Sequence, residues 1–420
     1  MQPKLTACAA AGAAEAFRYV VVGAGPCGGR AAAGLAGIAG AGSVCLIGDE
    51  AVGPYERPRL SKQCLVSAKM EGPATLGWAD DGLVTRYLGD AAVALDTASH
   101  VVETASGRRI VYEKLLIATG ARARKLALDG DATPDVRYLR SHGDALALRT
   151  QLKRSRRVLI IGGGFIGLEV AASARTLGCE VTLVEASDQL MARAVPSVVA
   201  DAVRRKFLSE GVAIHLADPP TLLRRHGIEI TAHLRSGTVI DSDLVVTGIG
   251  SVPNVELADG AGLALDNGIL VDEKGRTSDP DVFAAGDVAN RLVALDGGRQ
   301  RLEAWEPALD QAAAIVAVMT GRPETSPRAP WIWSDQFDWN LQLLGHADAR
   351  DSEIVRGDPR SGRFLVVWLT ATGAISGAVA VNAGSDMAMC RRAMAGGLMA
   401  TADGIRDEAV PLRNVFRRIS

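Results

Sequence analysis

The chain has 420 residues, 48% of them hydrophobic and 46 of them glycine, and a formal net charge of -2. That length accommodates two or three domains with well-buried cores, and the glycine content suits an α/β protein with many tight turns; the near-neutral balance excludes a globally basic nucleic-acid binder, so partner binding must be local. No apolar run approaches the length that crosses a bilayer, and the Ala-rich start, broken by Lys4, Glu15 and Arg18, lacks a signal-peptide pattern, which together read as a soluble cytoplasmic protein.

Residues 1–16 read as an N-terminal extension. From Phe17, FRYVVVGAGPCGG opens with an apolar strand (Tyr19 to Val22), turns on Gly23, Gly25 and Gly28, and continues as an Ala-rich helix. A second strand, SVCLIGDE, ends in Asp49 and Glu50. In such a unit the first glycine permits a tight turn, the second lets the backbone approach a pyrophosphate, and the third lets helix and strand pack closely. An acid at the tip of the second strand accepts ribose hydroxyls. Asp49 is the first choice for that acid and Glu50 the alternative; a solvated strand-end carboxylate explains either one as well. A further strand, Leu115 to Ile117, enters Ala118, Thr119 and Gly120.

The same design returns in RVLIIGGGFIGLEVAASARTLGCEVTLVEA, Arg157 to Ala186. An apolar strand turns on Gly162, Gly164 and Gly167, and a second apolar run ends in Glu185, about twenty residues on. The intervening helix offers free N–H groups and its positive dipole end to a pyrophosphate. Glu185 favours NADH, because a 2′-phosphate would meet a like charge and neither Ser187 nor Asp188 is an arginine that could receive one. The strand DLVVTGIG, Asp243 to Gly250, closes this unit and puts Gly250 against the nicotinamide half of the dinucleotide. Two complete units in one chain predict that electrons pass between two dinucleotides.

Beyond them a strand, Val282 to Ala285, leads into Gly286 and Asp287. The segment EAWEPALDQAAAIVAVM predicts a helix from Glu306 or Pro307, proline being favoured at a first helical position. From Trp331 onward the composition changes, and NLQLLG and RFLVVWLT alternate as antiparallel strands. Trp331, Trp333, Trp339 and Trp368 are expected mostly in a core. The six cysteines (Cys8, Cys27, Cys45, Cys64, Cys179, Cys390) show no CxxC and no metal-ligand spacing, so they read as small apolar fillers in a reducing compartment, with no metal site.

Five segments in register carry a family resemblance: GDEAVGPYERPRLSK, LLIATGARARKL, IIGGGFIGLEVAA, TSDPDVFAAGDVA and PWIWSDQFDWNLQLLG. From about Phe17 onward the chain resembles the FAD-dependent ferredoxin reductases of bacterial oxygenase systems, within the glutathione-reductase-like group. The resemblance implies an α/β fold of two Rossmann-like dinucleotide-binding domains plus a small C-terminal α+β domain. Residues 17–122 and 249–326 would form a discontinuous FAD-binding domain, 123–248 the NAD-binding domain and 327–420 the C-terminal domain, which would contribute to the flavin pocket wall and to partner docking.

It further implies FAD contacts at Gly23, Gly25, Cys27, Gly28, Asp49, Lys62, Val93, Ala118, Thr119, Gly120, Arg140, Asp287 and Trp305, and NAD contacts at Gly162, Gly164, Phe165, Ile166, Gly167, Glu185 and Gly250. Lys62 and Glu169 would pair beside the flavin's reactive N5 edge and tune it. An ordinary surface arginine at Arg140 and a core tryptophan at Trp305 are the plainer readings of those two positions. Disulfide reductases of this fold carry a CxxxxC pair where PYERPRLSK stands, and here only Cys64 is near, so electrons must leave the flavin directly. The implied outlet is a separate [2Fe-2S] ferredoxin feeding a terminal oxygenase; such ferredoxins are commonly acidic, so Arg391, Arg392, Arg413, Arg417 and Arg418 are candidates for docking, and a solvated arginine face explains each of them as well. An NADH oxidase or peroxidase of the same fold, or a non-catalytic flavin- and NADH-binding protein, would share these motifs, and the reading allows a monomer or a homodimer.

Overall fold

A computed structural model of the chain describes residues 14–67, 72–78, 82–292, 298–323 and 328–417. Lys4, Cys8 and Arg418 lie outside the described residues. Contacts divide the chain into two compact units, the first formed by 1–56, 74–121 and 253–326 and the second by 57–73, 122–252 and 327–420.

In the first unit, strand β1 (Glu15–Val22), helix α1 (Pro26–Ala39) and strand β2 (Val44–Gly48) form the predicted opening. β1 starts at Glu15, aligned with Ile110, so the pairing reaches four residues further back than the Tyr19 expected from the apolar run and takes in the end of the expected N-terminal extension. Strands β3 (Val84–Leu88), β4 (Ala92–Asp96), β5 (Val101–Thr104) and β6 (Arg109–Ile117) follow. β3, β2, β1, β6 and the strand Val282–Ala284 run parallel in that order, while β5 and β4 pair antiparallel from the first half of β6. The central strands are near-continuous Val, Leu and Ile because both faces are covered. α1 covers one face with Ala31, Ala32 and Leu35, meeting Ala312 and Val316 of the helix Trp305–Thr320. Small residues on α1 allow that close approach.

The second unit holds α2 (Gln63–Val66), α3 (His142–Leu152), β7 (Arg157–Ile161), α4 (Phe165–Thr176), β8 (Glu180–Val184), β9 (Val212–His215) and β10 (Leu244–Thr247). The parallel order β9-β8-β7-β10 is joined by an antiparallel ribbon, Pro220–His226, Glu229–Leu234 and Val239–Ser242, that shares its core through Leu159, Val184, Ile230 and Val245. Residues 57–73 cluster here and not with their chain neighbours, because α2 packs on α3 and α4.

The same unit ends in β11 (Trp331–Gln336), β12 (Trp339–Gly345), β13 (Ser352–Arg356), β14 (Phe364–Leu369), β15 (Ile375–Val381) and α5 (Gly384–Ala395). The strands form an antiparallel sheet ordered β11-β12-β15-β14-β13, and α5 packs Met387, Cys390 and Ala393 on its inner face. The four tryptophans depart from expectation: Trp331, Trp333, Trp339 and Trp368 are all half-buried. Leu344, Ile354, Leu365 and Val367 fill the core instead. Bulky indoles tolerate an intermediate position because their N–H keeps a polar partner, as Trp331 Nε1 does by donating to Gln342 Oε1 at 3.2 Å.

Candidate functional site

The first glycine turn is dictated by close approach. Gly23 has φ +113, and a Cβ there would stand 2.2 Å from the Ala118 carbonyl oxygen; one at Gly28 would stand 1.8 Å from the Gly23 carbonyl oxygen. Gly25 caps α1 without any side-chain bond, Pro26 opens the helix, and the first turn has no acid. The helix therefore presents unclaimed N–H groups with nothing negative beside them, a fit for a pyrophosphate. Cys27 is 7% exposed, packed against Gly286 so closely that a Cβ on that glycine would meet its Sγ at 3.3 Å. Burial and then the negative charge of Asp287 push the Cys27 thiol far up. Gly23, Gly25, Cys27, Gly28, Ala118 and Asp287 thus meet in one place.

Thr119 and Gly120 extend it. Thr119 Oγ1 donates to the Asn254 carbonyl at 2.7 Å, Asn254 Nδ2 donates back to the Thr119 carbonyl at 2.9 Å, and Asn254 N bonds Gly120 O at 2.9 Å. Asp49 is exposed, whereas half-buried Glu50 accepts from Tyr55 Oη at 2.8 Å. Val93 stands exposed on β4, just past the turn whose Gly89 N and Asp90 N bond Glu50 O and Gly48 O. Trp305 is half-buried and is itself the first residue of its helix, one or two positions ahead of the predicted start. Pro307 consequently falls at the third helical position, where an N–H would still lack an intrahelical acceptor.

The second turn repeats the geometry. Gly162 has φ +106 with its would-be Cβ 2.6 Å from Gly248 O, and a Cβ at Gly167 would stand 2.0 Å from Gly162 O. Gly164 caps α4, and the nearest atom to its would-be Cβ is 3.9 Å away. The protein itself does not demand glycine at 164. Phe165 starts α4, and Ile166 is 44% exposed. Glu185 Oε2 accepts from Gly163 N at 2.6 Å and Oε1 from Ser187 N at 2.8 Å, leaving each oxygen a further lone pair for a ribose hydroxyl. Gly250 (φ +100) lies two residues beyond Gly248, its carbonyl held by Arg124 N at 3.0 Å. Leu190, Met191 and Arg193 were not anticipated here. Met191 N bonds Gly163 O at 3.0 Å, and Arg193 Nη2 is 3.7 Å from a Cβ placed on Gly250.

The chemistry-bearing cluster of this unit is centred on Glu169, one turn into α4. Lys62 Nζ bonds Glu169 Oε2 at 2.8 Å and the Pro58 carbonyl at 3.1 Å, with side-chain exposures of 13% for Lys62 and 5% for Glu169. Ser61 Oγ donates to the same Oε2, Ser334 Oγ donates to Oε1 at 2.6 Å, and Ser173 Oγ donates to the Ser61 carbonyl at 2.6 Å. The predicted pair is therefore formed, with both Glu169 oxygens bonded and two of the three Lys62 donors used. Arg140 belongs to this unit too: its N donates to Asp144 Oδ2 at 3.0 Å and its carbonyl accepts from Arg57 Nη1 at 2.7 Å.

Against known families, residues 17–312 match the pyridine nucleotide-disulphide oxidoreductase model. The chain belongs to this family. Residues 331–416 match a second model, the reductase C-terminal domain. Among similar proteins, the ferredoxin--NAD(+) reductase component of the anthranilate 1,2-dioxygenase system of Burkholderia cepacia is 40% identical over 405 residues, 94% of this chain and 98% of the other. Rhodocoxin reductase of Rhodococcus erythropolis is 37% identical, covering 95% and 94% of the two chains. The structure of the covalent putidaredoxin reductase-putidaredoxin complex superimposes with a TM-score of 0.89 at 32% identity, covering 95% of this chain and 97% of that one.

In this pyridine nucleotide-disulphide oxidoreductase the described cysteines, Cys27, Cys45, Cys64, Cys179 and Cys390, are all free and buried. Burial raises the Cys64 thiol in spite of nearby Arg59 and Arg149, so it is no activated thiolate. Of the expected docking arginines, Arg391 stacks over the Trp331 ring at 4.5 Å, while Arg392, Arg413 and Arg417 are exposed. Among the described residues no helix is long and apolar enough to cross a membrane.

Proposed function

We propose that this oxidoreductase takes hydride from NADH onto FAD and passes electrons singly to a [2Fe-2S] ferredoxin that serves an oxygenase. The observation that carries this is the pair of glycine turns, one closed over by Gly286 and Asp287 and one open at Gly164 and Ile166. A covered turn suits a resident FAD, and an open one suits a dinucleotide that must leave after each turnover. Bound there, the two cofactors supply hydride transfer and its division into single electrons. The N-terminus of α1 holds the FAD pyrophosphate, Asp287 the ribityl chain, and Asp49 or Glu50 the ribose. The N-terminus of α4 holds the NADH pyrophosphate, and Glu185 its ribose.

Lys62, neutralised by Glu169, spends two of its three N–H donors on Glu169 and Pro58, and its third has no acceptor among the described residues. The family resemblance assigns that donor to the reactive edge of the flavin. With no dithiol beside Lys62, single-electron transfer to a separate iron–sulfur protein is the outlet, with Arg391, Arg392, Arg413 and Arg417 offered to an acidic partner. The ferredoxin named in the relatives' descriptions fits this outlet, and free thiols throughout the described cysteines fit the reducing conditions of a cytoplasm. Anaerobic mixing of the FAD-loaded protein with NADH or NADPH, then with oxidised plant-type ferredoxin, tests it. Rapid bleaching by NADH alone followed by ferredoxin reduction is expected. Reoxidation by oxygen but not by ferredoxin would make the protein an oxidase instead.

A further inference from the structure

We infer that Ser334, seated by Gln336, is a positioning residue for the Lys62–Glu169 pair, so that the C-terminal sheet supplies part of the machinery that tunes the flavin. This rests on the reading of that pair given above. Glu169 Oε2 is shared by Lys62 and Ser61. With those donors alone, the carboxylate could rotate and exchange its oxygens, carrying Lys62 with it. Ser334 Oγ fixes the other oxygen at 2.6 Å.

The direction of that bond is also set. Gln336 Nε2 donates to Ser334 Oγ at 3.1 Å, so the serine hydroxyl receives one proton donor and directs its own proton to Glu169. Both residues are shut away from solvent, Ser334 at 0% and Gln336 at 2% exposure. Strand alternation explains their joint placement. In WIWSDQ, positions 334 and 336 share the buried face of β11, while Trp331 and Trp333 share the other and stack 5.1 Å apart. Two polar side chains on a buried strand face are expensive unless bonded, and here the bonded acceptor is the carboxylate of α4. A packing role alone would be met by alanine or valine at less expense.

The test uses full-length FAD-loaded protein carrying Ser334→Ala, Ser334→Thr, Lys62→Met, or Lys62→Met with Ser334→Ala. The flavin absorption spectrum, its midpoint potential and the anaerobic rate of reduction by NADH are read for each. Ser334→Ala is expected to slow reduction on the order of tenfold, the weight of a hydrogen bond to a charged group. It should shift spectrum and potential in the sense of Lys62→Met, and Ser334→Thr, which keeps the hydroxyl, should restore them. In the Lys62→Met background Ser334→Ala should change nothing further. Gln336→Met, which leaves Ser334 in place but removes its orienting amide, should give a weaker shift of the same sign.

If Lys62→Met slows reduction while Ser334→Ala and Gln336→Met leave spectrum, potential and rate as in the parent, the inference fails and the reading of the pair stands. Full multiplication of the two single effects would likewise sink it. If Lys62→Met itself changes none of the three readouts, the reading of the pair fails and takes the inference with it.

Discussion

The two glycine turns can be compared residue by residue, because Gly23 N bonds Ile47 O and Gly162 N bonds Val184 O, each at 2.8 Å. Gly48 therefore corresponds to Glu185, Ala24 to Gly163, and Cys27 to Ile166. The first turn pairs an alanine with a glycine, and a Cβ on Gly48 would press on the Ala24 methyl at 2.5 Å. The second exchanges the sizes: glycine at 163 makes room for the Glu185 carboxylate and for Leu190. The first turn thus has glycine where the second has its acid, and its own acids, Asp49 and Glu50, follow one and two residues later. Cys27 is sealed beneath Gly286 and Ile166 is left exposed. On the function proposed above, one backbone design would serve a resident group in one place and an exchanging one in the other.

The hardest way to break that comparison is to fill the glycine both turns need. Gly28→Ala and Gly167→Ala each push a methyl to about 2 Å from a carbonyl oxygen, beyond the usual overpacking penalty of about 1–3 kcal/mol. Gly28→Ala should yield protein without flavin, and Gly167→Ala a yellow protein that NADH no longer bleaches; flavin content and anaerobic titration distinguish them. Next comes the second unit's charge pair. Lys62→Met, leaving the Glu169 charge buried without its cation, should cost about 3–5 kcal/mol in urea unfolding, and Lys62→Met with Glu169→Gln should recover much of it.

The comparison sharpens at Glu185 and Gly164. Glu185→Ser removes an acceptor that has no counterpart in the first turn, and it should raise the NADH KM roughly tenfold while narrowing the preference over NADPH, as steady-state kinetics would register. Gly164→Ala should leave stability within about 1 kcal/mol of the parent, since φ -82 admits alanine and lower unfolded-state entropy offsets the weaker cap, yet it should weaken NADH binding. A large loss of stability would mean that the open space is packed after all. Smallest of all is the effect of thiol alkylation. Burial first, with the Asp287 or Asp386 charge behind it, raises Cys27 and Cys390; Cys45 is pushed up to about 12 by burial, with Glu15 adding to it. Iodoacetamide at pH 8 should leave turnover unchanged, whichever turn a cysteine serves.

The motifs were legible where one local cause decides. Gly23, Gly28, Gly162 and Gly167 announce themselves because their own turn forces them, and Glu185 because its distance along the chain places it at a strand tip. What stayed hidden depends on partners far away in sequence. Ser334 and Gln336 become meaningful only once β11 is known to face α4, although two polar residues alternating with Trp331 and Trp333 were a usable signal. The tryptophans misled in the opposite direction, since bulk suggested a core that Leu344 and Leu365 occupy. The start of the helix at Trp305 was missed because a proline at 307 drew attention to itself.

The chain passes from one unit to the other after residues 56, 73, 121, 252 and 326. During synthesis, then, the opening sheet leaves the ribosome incomplete. The strand Val282–Ala284 pairs with β6, and Gly286 and Asp287 close over Cys27, only after the whole second glycine turn has been made. Any nascent chain shorter than that carries an unfinished sheet edge beside β6. A stop codon before Val282 would remove the cover of the first turn while leaving its glycines intact, and no single continuous gene fragment can encode either unit alone.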